Sequence, residues 1–275
     1  MSGYSFDTAP AALRAFLARL VGDTRDLLGA RLRGIILHGS LAMGSYYPPK
    51  SDIDLLIVVD DLDEAAGGDL YDLLSRRNAA RPYVAGLEVS AVRARDLERP
   101  IHPLPFLIHL GDNTAGPQPR PEGALPRDLD LVAHLMVARE RGLSLVGPPP
   151  DQLIGPIDWN DYLAAVKADI DWLLSGEAIV ETPRYAVLNL CRWTMMQATP
   201  RQLVPSKEEA ALWALERLPP EHHAIVDHAL RVYRDDADVT PDALIAAGGP
   251  WDDKALRAFR DWVRAGEAGR AAEGT

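Results

Sequence analysis

Three carboxylates and one glycine–serine pair hold most of the chemistry that this chain offers. Gly39-Ser40 is followed, after ten residues, by Ser51-Asp52-Ile53-Asp54. Side chains at i and i+2 of a strand share a face. Asp52 and Asp54 therefore project together at the start of the apolar run Ile53 to Val59. Two carboxylates this close repel, and a divalent cation between them removes the repulsion. Oxygen-only ligation beside a phosphate chain suits Mg²⁺. Gly39 lets a backbone approach phosphate oxygens, and the Ser40 hydroxyl can donate to one. Glu88 is the third carboxylate. It interrupts the apolar stretch Leu87 to Val92, where burying an unpaired charge is costly. If that stretch lies beside Ile53–Val59, Glu88 joins Asp52 and Asp54 in one acidic cluster. Such a cluster is the inventory of metal-assisted phosphoryl or nucleotidyl transfer. The plain alternatives are a solvated Asp-x-Asp turn and an edge-strand glutamate.

The elements that must position these groups are legible in part. Leu13, Phe16, Leu17, Leu20, Val21 and Leu27 recur at helical spacing over Ala11 to Leu28. Gly34 to His38 reads as a buried strand that breaks at Gly39-Ser40. Ile53 to Val59 is β-branched and almost wholly apolar, the clearest strand in the chain. A helix is expected over Leu70 to Arg77, a strand over Val84 to Val92, and a helix over Leu129 to Arg141. Pro100 to Pro126 holds seven prolines and three glycines and reads as irregular around a short strand, Phe106 to Leu110. Gly147 to Pro156 reads as a linker. Beyond it the pattern is helical: Trp159–Leu174, Arg184–Gln197, Lys207–Leu218, Glu221–Tyr233 and Asp252–Val263. An α/β first half thus precedes an all-helical second half.

Composition narrows the class. The chain has 275 residues, 47% hydrophobic and 25% charged, which are ordinary globular values with room for two domains. Lys+Arg 29 against Asp+Glu 40 gives a net charge of −11. That sign opposes binding to nucleic-acid phosphates and suits a cationic small molecule. No apolar run reaches the roughly 18 residues of a membrane helix, and Met1 to Pro10 does not read as a secretory signal. Cys191 is the single cysteine. It is expected to be a small buried side chain, and a cytoplasmic location follows as the default. Glu221, His222, His223, Asp227 and His228 lack metal-site spacing and read as a polar helix face.

The Gly-Ser and Asp-x-Asp pair resembles the nucleotidyltransferase superfamily that shares the DNA polymerase β palm. His38-Gly39-Ser40, Ser51 to Val58, Leu87-Glu88-Val89 and Val146-Gly147-Pro148 look like the aminoglycoside (3'')(9) adenylyltransferases, the streptomycin and spectinomycin resistance enzymes. Val187 to Trp193, Ser206-Lys207 and Trp213 to Pro219 are similar to the same family. The likeness covers all but the last dozen residues. It implies an α+β palm-like nucleotidyltransferase domain with a mixed sheet over residues 1–156. An all-α helical-bundle domain over residues 157–275 would complete the ATP and substrate cleft. It implies Mg²⁺ on Asp52, Asp54 and Glu88, with Glu88 also the base for the drug hydroxyl. Contacts to ATP would come from Gly39, Ser40, Ser51, Asp130, Arg192, Lys207 and Tyr233. The antibiotic would meet Glu88, His109, Asp112, Glu181, Thr182 and Tyr185. A monomer is the expected state.

The chain departs from the family at two points. Enzymes that accept streptomycin carry a tryptophan in the loop after the Glu88 strand and an aspartate before the helix holding the arginine. Here those stretches read Phe106 to Asp112, without tryptophan, and Glu181-Thr182-Pro183-Arg184-Tyr185. Spectinomycin is therefore favoured over streptomycin. The other readings are adenylylation of a different acceptor and a non-catalytic binding or antitoxin module on the same fold.

Overall fold

The computed structural model describes residues 3–48, 50–83, 85–111, 124–199, 203–235 and 249–273. They fall into two compact units, 3–165 and 166–275 by their outer bounds, divided within one helix.

The first unit is built on a five-stranded sheet. In chain order its elements begin with α1 (Ala11–Leu28), β1 (Leu32–His38), a four-residue helix α2 (Gly39–Ala42), β2 (Ile53–Val59) and α3 (Glu64–Ala79). There follow β3 (Leu87–Arg93), α4 (Ala94–Leu97), β4 (Leu104–Pro105), β5 (Ile108–Leu110) and β6 (Arg127–Asp128). The series continues with α5 (Leu131–Arg141), β7 (Leu143–Val146), α6 (Pro150–Leu153) and the first part of α7 (Trp159–Leu174). The sheet order is β5-β3-β2-β1-β7, and β4 and β6 form a separate two-stranded ribbon. β2 and β3 run parallel, whereas β1–β2, β1–β7 and β3–β5 are antiparallel, so the sheet is mixed.

Both faces of β2 are buried, which is why its sequence is a continuous apolar run rather than an alternation. Ile53, Leu55, Ile57 and Val59 pack with Leu13, Phe16, Leu17 and Leu20 of α1 and Leu70 and Leu74 of α3. Leu56 and Val58 point the other way, to Leu131, Val132, Leu135 and Ala138 of α5. The two-residue period therefore assigns every even position of β2 to the α5 side. Ile36 of β1 and Val92 of β3 belong to that same second core.

The second unit, among the described residues, is helical. After α7 come α8 (Ala178–Glu181), α9 (Pro183–Ala198), α10 (Lys207–Arg217), α11 (His223–Arg234) and α12 (Asp253–Glu273). Ser206 caps α10 with a full capping box: its hydroxyl accepts the Glu209 amide, and Glu209 returns to the Ser206 amide. Cys191 is fully buried in α9, as expected, and burial pushes its thiol pKa far up. No helix among the described residues is long and apolar enough to cross a membrane.

Three expectations need correction. The stretch read as a linker contains α6, and Ile154 is fully buried in the second core. Prolines and glycines at 147–156 marked turns, but the Leu153-Ile154 pair between them packs. The last helix runs to Glu273 rather than stopping at Val263. Its extension lacks an apolar stripe, and Trp193 Nε1 donates to Glu267 Oε1 at 2.9 Å there. His222 is not on a polar face. It is buried, with its ring 5.5 Å from Phe259 and 5.2 Å from Trp262, and its Nε2 has no hydrogen-bond partner among the described residues.

His222 gives a pH prediction. Burial holds its pKa below the usual imidazole value, with Glu221 opposing and His223 reinforcing the shift. A group with a depressed folded pKa contributes stability above its unfolded pKa. That stability is lost as pH falls through the folded value. Between pH 7 and pH 5, His222→Phe is therefore expected to lose less melting temperature than the native chain. Equal losses in parallel thermal melts would show that His222 is not a source of acid sensitivity.

Candidate active site

The site residues are set by strand register. His38 of β1 lies opposite Asp54 of β2, and Asp54 lies opposite Glu88 of β3. The three side chains thus form one row across three adjacent strands. All three fall on the α5 side, continuing the positions of Ile36, Leu56 and Val92. The sheet changes along that face from an apolar floor to a polar end.

Gly39 closes the row. The chain turns there with φ +63, a left-handed conformation that glycine adopts without a steric penalty. A Cβ at that position would lie only 2.6 Å from Asp54 Cγ. The missing side chain is therefore the space that the Asp54 carboxylate occupies. Next to it, Ser40 Oγ is buried and has no hydrogen-bond partner among the described residues. Asp52 sits one residue before β2, and its Oδ1 accepts the Gly86 amide at 3.2 Å, tying the entry of β2 to that of β3. Ser51 is buried. It braces the turn before them, accepting the Tyr47 amide at 3.0 Å and donating its own amide to Tyr47 O at 3.0 Å.

From above, α5 lowers His134 onto the row. His134 Nε2 is 3.5 Å from Glu88 Oε1 and 3.1 Å from Asp130 Oδ2. Burial works against a charge on this ring. Glu88, then Asp130 and Asp54, outweigh burial and raise its pKa to about 10. His134 is thus an imidazolium among carboxylates at neutral pH. His38 behaves in the opposite way. It is buried, and burial together with the charge on His134 holds its pKa well below the ordinary value. The two rings meet edge to face with centroids 5.6 Å apart.

Ligand atoms of His38, Asp54 and His134 lie within 4.8 Å of one another. Mg²⁺ prefers oxygen ligands and water, so Asp54 is the donor of this group that fits it, and the expected partners Asp52 and Glu88 are not in the group. His134 was not legible as a site residue. Its one signal was a lone histidine within the apolar stretch Leu131 to Met136, the kind of interruption that singled out Glu88.

The remaining expected residues are placed as follows. His109 is on β5 opposite Ser90, and its Nδ1 is 3.0 Å from Ser90 Oγ. Asp112 lies outside the described residues. In the second unit, Lys207 Nζ stands 5.0 Å from the centroid of the Tyr185 ring, a cation–π distance. Tyr185 in turn donates its hydroxyl to Asp169 Oδ2 at 3.0 Å. Arg192 is held by two acceptors, Pro205 O from Nε at 3.1 Å and Asn189 Oδ1 from Nη1 at 3.2 Å. Thr182 uses its hydroxyl locally, donating to Ala178 O at 2.9 Å, and Glu181 ends α8. Tyr233 is buried on α11.

A domain model described as aminoglycoside adenylyltransferase, C-terminal domain, matches residues 152–246. A spectinomycin 9-adenylyltransferase of Staphylococcus aureus is 29% identical over 219 residues, covering 78% of this chain and 82% of that protein. An aminoglycoside (3'') (9) adenylyltransferase of Klebsiella pneumoniae is 29% identical over 227 residues, covering 79% and 84%. The chain is thus similar to the aminoglycoside adenylyltransferases over more than three quarters of its length. The fold also has a counterpart among solved structures. The crystal structure of an Enterococcus spectinomycin adenyltransferase, AAD(9), with ATP and spectinomycin superposes with a TM-score of 0.68 at 18% identity. That match covers 91% of this chain and 99% of the other. Gly39, Asp54 and Glu88, on which the sequence resemblance rests in the first unit, lie together at the polar end of the sheet.

Proposed function

We propose that this protein transfers the adenylyl group of ATP to a hydroxyl of an aminocyclitol antibiotic, with spectinomycin favoured over streptomycin, and so confers resistance. The observation that carries this reading is the in-register pair Asp54–Glu88, packed against the glycine turn at Gly39. Relatives named for this activity cover more than three quarters of the chain.

Each residue then has a task. Gly39 lets the triphosphate approach the turn, and the buried Ser40 hydroxyl offers it a donor. Glu88 accepts the proton of the acceptor hydroxyl as that oxygen attacks the α-phosphorus. The α–β anhydride bond breaks and pyrophosphate leaves. Asp52 and Asp54 would hold Mg²⁺, which when bound supplies positive charge to the phosphate oxygens. In this reading the catalytic domain spans residues 1–156. The helical domain, 157–275, carries Arg192, Lys207 and Tyr233, groups suited to a nucleotide. Arg192 is braced by Asn189 and Pro205 for such a role, and guanidinium–phosphate bonds are strong and directional. His109, Glu181, Thr182 and Tyr185 would face the antibiotic. The enzyme would act as a cytoplasmic monomer on small molecules rather than nucleic acid.

Streptomycin is a large cation whose guanidinium groups need a stacking face and paired carboxylates. This chain lacks the loop tryptophan, and Glu181 does not stand at the expected aspartate's place. Spectinomycin, a compact fused-ring aminocyclitol, is met chiefly by hydrogen bonds. Pyrophosphate release with ATP, Mg²⁺ and each drug is the test. Turnover with spectinomycin at least about 10-fold above streptomycin is expected, since one lost charged contact is worth about 1.5–3 kcal/mol. Equal turnover with both removes the specificity, and turnover with neither removes the antibiotic as acceptor.

A further inference from the structure

We propose that His134 is a positioning residue that fixes the Glu88 carboxylate at the end of the Asp54 row and ties it to Asp130. This inference rests on the reading of Glu88 as the base. His134 stands on α5, a helix that otherwise turns Leu131, Leu135 and Ala138 toward the sheet. At the turn of α5 above the polar end of the row, the apolar side chain is replaced by an imidazole. One ring nitrogen, Nε2, sits between two carboxylates, 3.5 Å from Glu88 and 3.1 Å from Asp130. Asp130 precedes the first turn of α5, four residues before His134, so helical spacing places both on one face. Its backbone is anchored in turn, the Asp130 amide donating to Asp128 Oδ1 at 2.8 Å.

The arrangement answers a mechanical need. A glutamate on a strand has three rotatable side-chain bonds, and its backbone register alone does not choose where the carboxylate points. Asp54, directly opposite, repels it away from the row. His134 opposes that repulsion from the helix side by an ion-pair contact at 3.5 Å, while its Nε2 is hydrogen-bonded to Asp130. His38 closes the other flank, with its ring perpendicular to that of His134 at 5.6 Å. Because Asp130 is the residue expected to meet ATP, the same imidazole joins the nucleotide side of the site to the acceptor side.

A double-mutant cycle on the full chain tests this. His134→Leu puts an apolar side chain on the helix face and removes the contact, while His134→Gln keeps an N–H donor. Glu88→Gln alone is expected to lower kcat about 10²–10⁴-fold, the usual worth of a positioned base. His134→Leu alone should lower kcat about 10²-fold, the scale of a misplaced reacting group, with KM for the antibiotic changed less than threefold. In the Glu88→Gln background the same change should cost less than about threefold, since no base remains to be placed. His134→Gln should recover at least about tenfold over His134→Leu, a difference that packing alone does not produce. Full additivity of the two changes, or equal rates for Leu and Gln, overturns the positioning role and leaves the Glu88 reading standing. Native turnover in Glu88→Gln overturns both. If His134→Leu does not fold, the Gln variant with and without Glu88→Gln completes the same cycle.

Discussion

Asp54→Asn is expected to lower adenylyl transfer at least about 10³-fold while shifting the melting temperature by no more than a few degrees. The size follows from charge rather than shape. Asparagine preserves the volume beside Gly39 but removes the carboxylate at the centre of the row. A cation that Asp54 would hold is worth several kcal/mol at the transition state, and about 4 kcal/mol is 10³-fold in rate. The small stability change follows from two opposed terms. Asp54 is repelled by Glu88, its register partner, and attracted by His134, whose pKa it helps to raise. Removing one charge relieves the first and forfeits the second. Transfer of labelled AMP at saturating ATP and Mg²⁺, beside a thermal melt, measures both. Retention of a tenth of native turnover would show that the transfer does not depend on this carboxylate. A fall of more than about ten degrees would show that Asp54 is a structural ion-pair partner first.

The parts of the fold that announce themselves are those whose sequence follows one short-range rule. β2 matches its expected bounds, Ile53 to Val59, because a β-branched run buried on both faces has no competing reading. α1 and α7 also match, their apolar residues recurring at helical period over 18 and 16 residues. β7 was missed. Leu143-Ser144-Leu145-Val146 is too short to read as a strand and follows α5 after a single glycine, and only its pairing with β1 makes it one.

The site divides in the same way. Asp52 and Asp54 are two residues apart, so strand geometry alone couples them. Glu88 needed one long-range assumption, that β3 lies beside β2, and the parallel pairing supplies it. His134 needed two, the packing of α5 on that sheet face and the register of the helix above the row. An isolated histidine in an apolar helix ordinarily reads as a packed core residue. Lys207 and Tyr185 lie on different helices, and their stacking follows from tertiary packing that no spacing reveals. The acids that follow Lys207 in sequence have other uses. Glu208 pairs with Arg234, and Glu209 completes the α10 capping box.

Gly39→Ala is expected to lower turnover about 10²-fold at a modest loss of stability, and a matched control separates the two effects. Gly39 and Gly29 both have positive φ, +63 and +53. An alanine at positive φ costs about 1–3 kcal/mol, and the cost is larger at Gly29, whose ψ of −127 lies outside the left-handed α well. About 1 kcal/mol lowers the melting temperature of a domain this size by roughly 2–4 °C. Both variants carry that backbone penalty. They differ in what the new methyl group meets. At Gly29 nothing lies within 4 Å, whereas at Gly39 the methyl would sit 2.6 Å from Asp54 Cγ. The obstacle is the end of a side chain, so Asp54 yields by rotating off the row rather than by unfolding β2. A displacement near 1 Å of a group that positions the reaction costs about 10²-fold. Gly29→Ala should therefore melt early and turn over normally, while Gly39→Ala melts no earlier and turns over poorly. Equal activities in the two variants would show that the glycine at the Gly-Ser turn serves only the backbone. A much earlier melt for Gly39→Ala alone would show that Asp54 has no room to move.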